Sequence, residues 1–225
     1  MTFSISARCE RTGQFGVAVS SSSPAVAARC AHARAGVGAV ATQNVTDPTI
    51  GPRGLALMAE GLSAHDALQQ IKATSAHIDY RQIAFVDRNG LSAVHSGTQA
   101  LGTYGALAFK NGAVAGNLLR GLDVLEAMHD FFEKSANADL GDRLIGAMLA
   151  GLAAGGEEGP VHSAGLVIVR EVAWPVADLR VDWHDDDPVG ALSELWERWK
   201  PQLDAYVTRA LDPTQAPSYG VPGDK

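Results

Sequence analysis

The sequence predicts an α+β protein built as a four-layer αββα sandwich, in which two antiparallel sheets stack face to face and helices cover both outer sides. Three observations lead to this class. Strands come in hairpins, helices come in consecutive pairs, and the two kinds of group succeed one another along the chain. A parallel doubly wound sheet would instead alternate one strand with one helix. We expect roughly nine strands and five or six helices.

The first hairpin begins at the extreme amino terminus. Residues 2–9 alternate in polarity, as a half-buried strand does, with one apolar and one polar face. Residues 10–14 form the predicted turn, and residues 15–20 return as a second strand with one face of very small side chains. The two faces of the first strand are Phe3, Ile5, Ala7 and Cys9 on one side and Thr2, Ser4, Ser6 and Arg8 on the other.

A loop, a short helix and a third strand follow this hairpin. Serines and a proline predict the loop at residues 21–24, residues 25–33 are expected to be helical, and residues 36–43 form a strand of small side chains. A helical pair comes next. Ser63 and Asp66 resemble a capping box for the second helix of this pair.

Two further hairpins carry the strongest turn signals in the chain. Asn-Gly occurs at residues 89–90 and 111–112, each time between two apolar segments. This dipeptide supplies the positive φ angles that a tight hairpin turn needs. The strands predicted on either side of the two turns are residues 82–86, 91–96, 105–109 and 113–117.

The C-terminal half predicts another pair of helices, a final strand pair and a long aromatic helix. Pro201 is expected to kink or divide the last helix. The chain is expected to form one domain over residues 1–211, followed by a flexible tail over residues 212–225. The predicted elements are helices at 124–132 and 140–152, strands at 165–171 and 177–183, and a helix at 192–207.

Composition excludes several classes of protein. The chain has 225 residues, of which 46% are apolar, so it can bury a sizeable core. A net charge of -7 without clustered Lys and Arg argues against a nucleic-acid partner. No apolar run is long enough for a membrane span and no leader precedes the first strand, so we expect a cytoplasmic protein with no membrane partner. Cys9 and Cys30 fit no metal spacing and are expected to be small buried thiols.

Thr2 stands where nucleophilic chemistry needs few additional groups. Removal of Met1 would leave a free α-amine beside the Thr2 hydroxyl. An amine of pKa about 8 can accept the hydroxyl proton near neutral pH, which is the simplest way to activate such a nucleophile. Any chain that begins Met-Thr offers these groups, and the alternative is a β-branched residue that only starts a strand.

Short motifs spread along the chain also carry a resemblance. They occur at residues 2–5, 15–20, 33–43, 51–54, 81–82, 95–97, 116–119 and 178–182. Together they resemble the bacterial domain-of-unknown-function-1028 family as far as about Val189. The resemblance implies a fold similar to that of the N-terminal-nucleophile (Ntn) hydrolases, which is an αββα sandwich. It implies no settled reaction, because a fold alone does not determine chemistry.

The resemblance gives Thr2 a specific role. Its Oγ would attack a carbonyl, while its own α-amine acts first as general base and then as the acid that protonates the leaving nitrogen. Two departures from the family pattern bear on specificity. Ala115 stands where the family usually has glutamine, and residues 157–163 lack the basic and glutamine residues common there. If those groups line a pocket, its specificity differs here; if they are structural, the changes matter little.

Two other residues are candidate catalytic groups. Asn117 follows a glycine after a strand, where its side-chain amide could donate to an oxyanion. The alternative is a turn asparagine that bonds its own backbone. Ser20 and the serine loop after it could supply backbone donors or orient the Thr2 amine, and a plain polar loop is the alternative.

Four residues are candidate substrate contacts. Gln43 and Asn44 end a strand of small residues, where ordinary strand-end polarity is the alternative. Arg53 could bind a substrate carboxylate, although most arginines are solvated or paired within the protein. His95 lies on a short strand, where it could contact a substrate or be satisfied in the core.

Two functions are therefore open. One is an amidohydrolase that cleaves a small amide C–N bond with Thr2; the other is a non-catalytic protein that keeps the fold and binds a small molecule or assembles with copies of itself. No cofactor or metal is expected, since the acidic run at residues 184–187 fits a helix-capping turn better than a metal site. A homo-oligomer would follow if four aromatic residues grouped on the surface, namely Trp174, Trp183, Trp196 and Trp199.

Overall fold

A computed structural model describes residues 1–223 and contains the two predicted antiparallel sheets. Within these residues there are ten strands, one more than expected. The strands are β1 (Thr2–Arg8), β2 (Phe15–Ser21), β3 (Ala31–Arg34), β4 (Gly38–Asn44), β5 (Arg81–Asp87), β6 (Ser92–Ser96), β7 (Gly105–Phe109), β8 (Gly112–Asn117), β9 (Ser163–Val169) and β10 (Ala177–Val181). The larger sheet has the order β10-β9-β2-β1-β8-β7, and the smaller has the order β3-β4-β5-β6.

Helices cover the outer side of each sheet. The helices of the described residues are α1 (Ala27–Cys30), α2 (Ile50–Ala59), α3 (Ala64–Thr74), α4 (Asp123–Lys134), α5 (Leu140–Ala153), α6 (Pro188–Trp199) and α7 (Leu203–Leu211). α4, α5 and α6 pack on the larger sheet, and α2 and α3 pack on the smaller one. The predicted αββα sandwich is therefore confirmed. Within residues 1–223, no helix combines the length and the apolar character needed to cross a membrane.

Both faces of β1 are buried, although its alternation predicts a half-buried strand. The apolar face, with Phe3 and Ile5, packs against the helices of the larger sheet. The polar face points at the smaller sheet, where Ser4 Oγ donates a 2.6 Å hydrogen bond to Gln43 Oε1 of β4. The alternation in β1 therefore distinguishes an apolar face from a polar face, both of which are buried. It does not distinguish a buried face from an exposed one.

The short strand β3 differs from the sequence prediction. The sequence predicts a helix over residues 25–33, but α1 ends at Cys30 and the chain continues as a strand. In this strand His32 pairs with Val40 of β4. Pairing with a neighbouring strand thus outweighs the helix preference of the alanines in this segment.

Both Asn-Gly hairpins are present, but each turn uses one positive φ angle of this dipeptide instead of two. Gly90 has a φ of 78° in the first turn, and Asn111 has a φ of 64° in the second. In the first turn the carboxylate of Asp87 accepts a 2.9 Å hydrogen bond from the backbone N–H of Asn89. This side-chain contact supports a wider turn than the two-residue one that the dipeptide favours.

The last helix is divided near Pro201, as predicted, because a 3-10 turn at Lys200–Gln202 separates α6 from α7. Asp187 caps α6 by accepting a hydrogen bond of 2.8 Å from the backbone N–H of Gly190. This contact confirms the capping role expected for the acidic run. The end of the predicted tail, residues 224–225, lies outside the described residues.

Two smaller expectations concern cysteines and tryptophans. Both cysteines are free and buried, as predicted. Trp196 is buried in the core, whereas Trp174 and Trp183 are exposed. The four tryptophans therefore do not all lie on the surface.

Candidate active site

Strand register determines which side chains surround Thr2. β1 pairs with β8 so that Thr2 lies directly opposite Asn117, and it pairs with β2 so that Phe3 lies opposite Ser20. Directly opposed residues of an antiparallel pair share one side of the sheet. Asn117 therefore lies on the same polar face as Thr2. Ser20 lies on the opposite face, where its hydroxyl donates to the Ser163 carbonyl at 3.0 Å.

Ser21 occupies the position beside Thr2 that the sequence pattern suggests for Ser20. Its Oγ is 3.2 Å from Thr2 Oγ1 and 2.8 Å from Ser23 Oγ. The hydroxyls of Thr2 and Ser21 both donate to the carbonyl oxygen of Met1. Two hydroxyl donors therefore converge on the carbonyl that precedes Thr2, at a point where Thr2 itself is only 6% exposed.

Three carboxamides, those of Gln43, Gln82 and Asn117, lie directly behind Thr2, between the sheets. Gln43 Nε2 donates to the Thr2 carbonyl at 3.4 Å and to Gln82 Oε1 at 2.7 Å. Asn117 Nδ2 donates to the same Gln82 oxygen at 3.2 Å. Gln43, Gln82 and Asn117 are all fully buried. Gln43 and Asn117 thus both lie near Thr2, and each already binds a partner within the protein.

Gln82 joins these groups, although in the sequence it stands out only as part of a family motif. Its Nε2 lies 2.9 Å from the Gly116 carbonyl, 3.1 Å from the Gly105 carbonyl and 3.0 Å from Ser96 Oγ. The strand register brings it into place, since Gln82 of β5 lies opposite Gln43 of β4. The signal in the sequence for this network would have been two glutamines placed opposite each other on neighbouring strands, both facing the buried layer.

Glu157 is a functional candidate that the sequence marks only as the first residue of the loop, residues 157–163, that departs from the family pattern. Only 3% of this residue is exposed, and neither carboxylate oxygen has a normal hydrogen bond among the described residues. Burial raises its pKa to about 8, although the α-ammonium of Met1 and the backbone N–H of Ser22 partly offset the rise. Such a shifted acid beside a candidate nucleophile is typical of functional sites.

The backbone is strained at the segment that follows β8 and pairs with Glu157. Leu118, the residue after Asn117, has a φ of 52°, a left-handed conformation that is costly for a bulky side chain. Leu119 then forms an isolated antiparallel bridge with Glu157. Asn117 Oδ1, like the Glu157 carboxylate, is buried without a partner among the described residues. Three buried side-chain oxygens near the Thr2 end of the sheets therefore have no normal hydrogen bond among the described residues.

The remaining predicted contacts have structural partners. Asn44 has a φ of 72°, and its Nδ2 donates to the Tyr80 carbonyl at 2.7 Å. Arg53 is on α2, where its guanidinium bonds Thr74 Oγ1 at 2.8 Å. His95 Nε2 lies 3.1 Å from the Ile78 carbonyl. His95 lies on the helix side of the smaller sheet, because it pairs with Ile83 of the helix-facing core. Arg53 lies on the same side, since it belongs to α2.

The site can be described chemically without a metal. Within residues 1–223, no three His, Cys, Asp or Glu side chains group closely enough to hold a metal ion. What the site contains is a threonine hydroxyl, two serine hydroxyls, buried amides and one carboxyl group of raised pKa. These groups can donate and accept protons around a carbonyl group placed at the position of the Met1 carbonyl.

Two stacked antiparallel sheets between layers of helices place this protein in the αββα class of α+β folds. A threonine hydroxyl lies at the start of a central strand of the larger sheet. Within that class the chain matches a family of unknown function, DUF1028, over residues 2–192. The chain belongs to this family, which confirms the resemblance carried by its motifs. Among curated protein sequences, none matches the chain.

Solved structures show what the chain is similar to. Protein SPO2555 from Silicibacter pomeroyi, of the same family, is 29% identical over 88% of each chain, with a TM-score of 0.81. The ancestral beta-subunit Anbu from Yersinia bercovieri is 10% identical over 91% of this chain and 96% of that one, with a TM-score of 0.39. Anbu from Hyphomicrobium sp. strain MC1 is also 10% identical, over 97% of this chain and its own full length, with a TM-score of 0.39.

Proposed function

We propose that the protein is an amidohydrolase that cleaves a small amide C–N bond with Thr2 as its N-terminal nucleophile after Met1 is removed. The observation that carries this proposal is the pair of hydroxyls, from Thr2 and Ser21, that donate to the Met1 carbonyl. A carbonyl adjacent to Thr2 is thus already polarised by donors. The family resemblance, which implies an Ntn-hydrolase-like fold, supports the same role for Thr2.

In the proposed reaction, Thr2 Oγ1 attacks the substrate carbonyl and its proton passes to the free Thr2 α-amine. Ser21 Oγ donates to the oxyanion that forms, since it already donates to a carbonyl oxygen at this place. The α-ammonium then protonates the leaving nitrogen as the C–N bond breaks, which leaves an ester on Thr2. Water hydrolyses the ester to release the acid and restore the hydroxyl. Gln43 is a positioning residue in this scheme, because it donates to the Thr2 carbonyl, and Asn117 supports it through their shared acceptor, Gln82.

A second candidate is a non-catalytic protein that keeps the fold and binds a small molecule. It is favoured by the low exposure of Thr2 while Met1 is in place, and by the internal hydrogen bonds of Gln43 and Asn117. In that case Met1 would be retained and the polar layer would serve only to hold the two sheets together.

The intact mass of tag-free protein separates the two candidates. We expect a mass lower than that of the full chain by one methionine, and hydrolysis of at least one compound in a panel of small primary and secondary amides. Thr2→Ala should abolish that hydrolysis, whereas Thr2→Ser should retain part of it. Uniform retention of Met1 in active protein would contradict the mechanism.

Ser20 provides a matched control for the neighbouring serine. Ser21→Ala should lower kcat by about 10²-fold or more, as loss of an oxyanion donor does elsewhere. Ser20→Ala removes a hydroxyl of equal size from the other face of the same strand and should leave kcat nearly unchanged. A third variant, which carries a permanent extension ahead of Met1, should fold normally. It should be inactive, because its Thr2 amine is blocked.

A further inference from the structure

The loop that carries Glu157 covers the place that Met1 occupies. The backbone N–H of Glu158 donates to the Leu118 carbonyl at 2.9 Å, which fixes the loop beside the end of β8. A side-chain carbon added at Gly159 would lie 2.8 Å from the terminal methyl group of Met1. Met1 therefore fills a space bounded by this loop on one side and by Ser21 on the other.

Each part of Met1 meets a different kind of group in this space. Its carbonyl oxygen accepts hydrogen bonds from two hydroxyls, and its thioether end packs against Gly159. Its α-ammonium lowers the pKa of Glu157 by charge attraction but makes no hydrogen bond with the Glu157 side chain. Neither side-chain oxygen of Glu157 has a normal hydrogen bond among the described residues, so the ionised form can accept one from a cation. Met1 thus occupies the site as an aminoacyl group would.

We propose that the substrates are α-aminoacyl amides with a free amino group and a long, unbranched side chain, and that Glu157 selects them by binding the substrate ammonium. This inference rests on the proposed function. An acyl group on the Thr2 nitrogen and one on Thr2 Oγ1 occupy neighbouring positions, because both atoms belong to one residue and are separated by two carbons. Once Met1 is removed, the space it leaves suits the acyl group of such a substrate. The buried Glu157 side chain has no normal hydrogen bond among the described residues, and an ammonium donor bound beside it would favour its ionised form.

Binding can be measured without turnover in the Thr2→Ala protein, after its mass has shown that Met1 is absent. Calorimetric titration with L-methioninamide and with N-acetyl-L-methioninamide should show about tenfold or greater preference for the free amine. Glu157→Gln should remove the preference. Glu158→Gln, an exposed neighbouring acid, should leave it intact. Equal binding of the two ligands, or an unchanged preference in Glu157→Gln, would overturn the inference.

Turnover distinguishes this inference from the proposed function. With the active protein, Glu157→Gln should raise KM for L-methionine p-nitroanilide about tenfold, with kcat changed little. Hydrolysis of acetylated and free substrates at equal rates would overturn the inference alone. Failure of a chain beginning at Thr2 to hydrolyse any amide would contradict the proposed function. The preference for the free amine in the binding experiment would still test whether Glu157 binds an ammonium group. An equal loss of kcat on both substrates would show that Glu157 serves the Thr2 amine and not the substrate.

Side-chain selection has its own test at Gly159. The residue has no positive φ angle, so alanine is compatible with its backbone. Because the added methyl group would enter the space of the methionine side chain, Gly159→Ala should lower kcat/KM for L-methionine p-nitroanilide about tenfold and leave that for L-alanine p-nitroanilide nearly unchanged. An equal effect on both substrates would contradict the assignment of this space to the substrate side chain.

Discussion

The two faces of β1 are equally buried but differ in chemistry. On the helix face, Phe3 and Ile5 pack into the large apolar core. On the sheet face, Ser4 is just as inaccessible, and its hydroxyl is held by Gln43 at 2.6 Å. The apolar face contributes stability through the area removed from water, whereas the polar face contributes little net energy but fixes the position of each group. A strand can therefore carry the core on one side and a preorganised site on the other.

The largest expected effect lies on the apolar face. Phe3→Ala should lower the free energy of unfolding by about 3–5 kcal/mol, because it leaves a cavity among fully buried neighbours. Chemical denaturation followed by circular dichroism measures this loss. Phe3→Leu, which keeps most of the apolar volume, should recover much of it. A loss below about 1 kcal/mol for Phe3→Ala would mean that the helix face is not the main source of stability.

A smaller loss is expected in the polar layer, at the centre of its network. Gln82→Met keeps the shape of the side chain but leaves the amides of Gln43 and Asn117 without their shared acceptor. We expect a loss of about 2–3 kcal/mol in denaturation and a marked drop in activity. Gln99→Met, at an exposed position, is the control. Full activity in Gln82→Met would show that the polar layer does not position the site.

The sequence predicts much of the difference between the two faces of β1, and there is a physical reason why it does not predict the rest. Alternation gives the two faces of β1, but the same pattern fits a polar face in water and a polar face against another sheet. Placing Thr2 beside Asn117 requires strand pairing across more than a hundred residues, and one residue of register decides between Ser20 and Ser21. The sequence marks Glu157 only as part of a loop that departs from the family pattern, and it does not predict the raised pKa, because burial of a loop acid depends on tertiary structure.

Glu157 predicts a pH dependence of stability that the apolar face cannot produce. Its pKa is about 8 in the folded protein against an ordinary 4.5, so between these values the folded state holds more protons than the unfolded state. The stabilisation from this protonation is present below pH 4.5 and is lost as pH rises toward and through 8. The slope should be at most about 1.4 kcal/mol per pH unit.

Comparison of the wild-type protein with Glu157→Gln isolates this contribution, because glutamine cannot ionise. Denaturation at several pH values should give a difference curve in which the variant becomes steadily more stable than the wild type up to about pH 8. Glu158→Gln should show no such trend, since Glu158 is exposed. Parallel curves for wild type and Glu157→Gln would show that the acid is solvated or paired.

The smallest expected effect separates two serines of the same face. Ser4 Oγ donates to Gln43 at 2.6 Å, whereas Ser6 Oγ lies 3.5 Å from the Ala84 carbonyl. Ser4→Ala should therefore cost about 1 kcal/mol, and Ser6→Ala clearly less, because only the first leaves a buried acceptor without its donor. Thermal denaturation of the two variants side by side measures the difference. If the order were reversed, hydrogen bonding would not decide the energetics of the polar face, and packing would govern the stability of β1 on both of its sides.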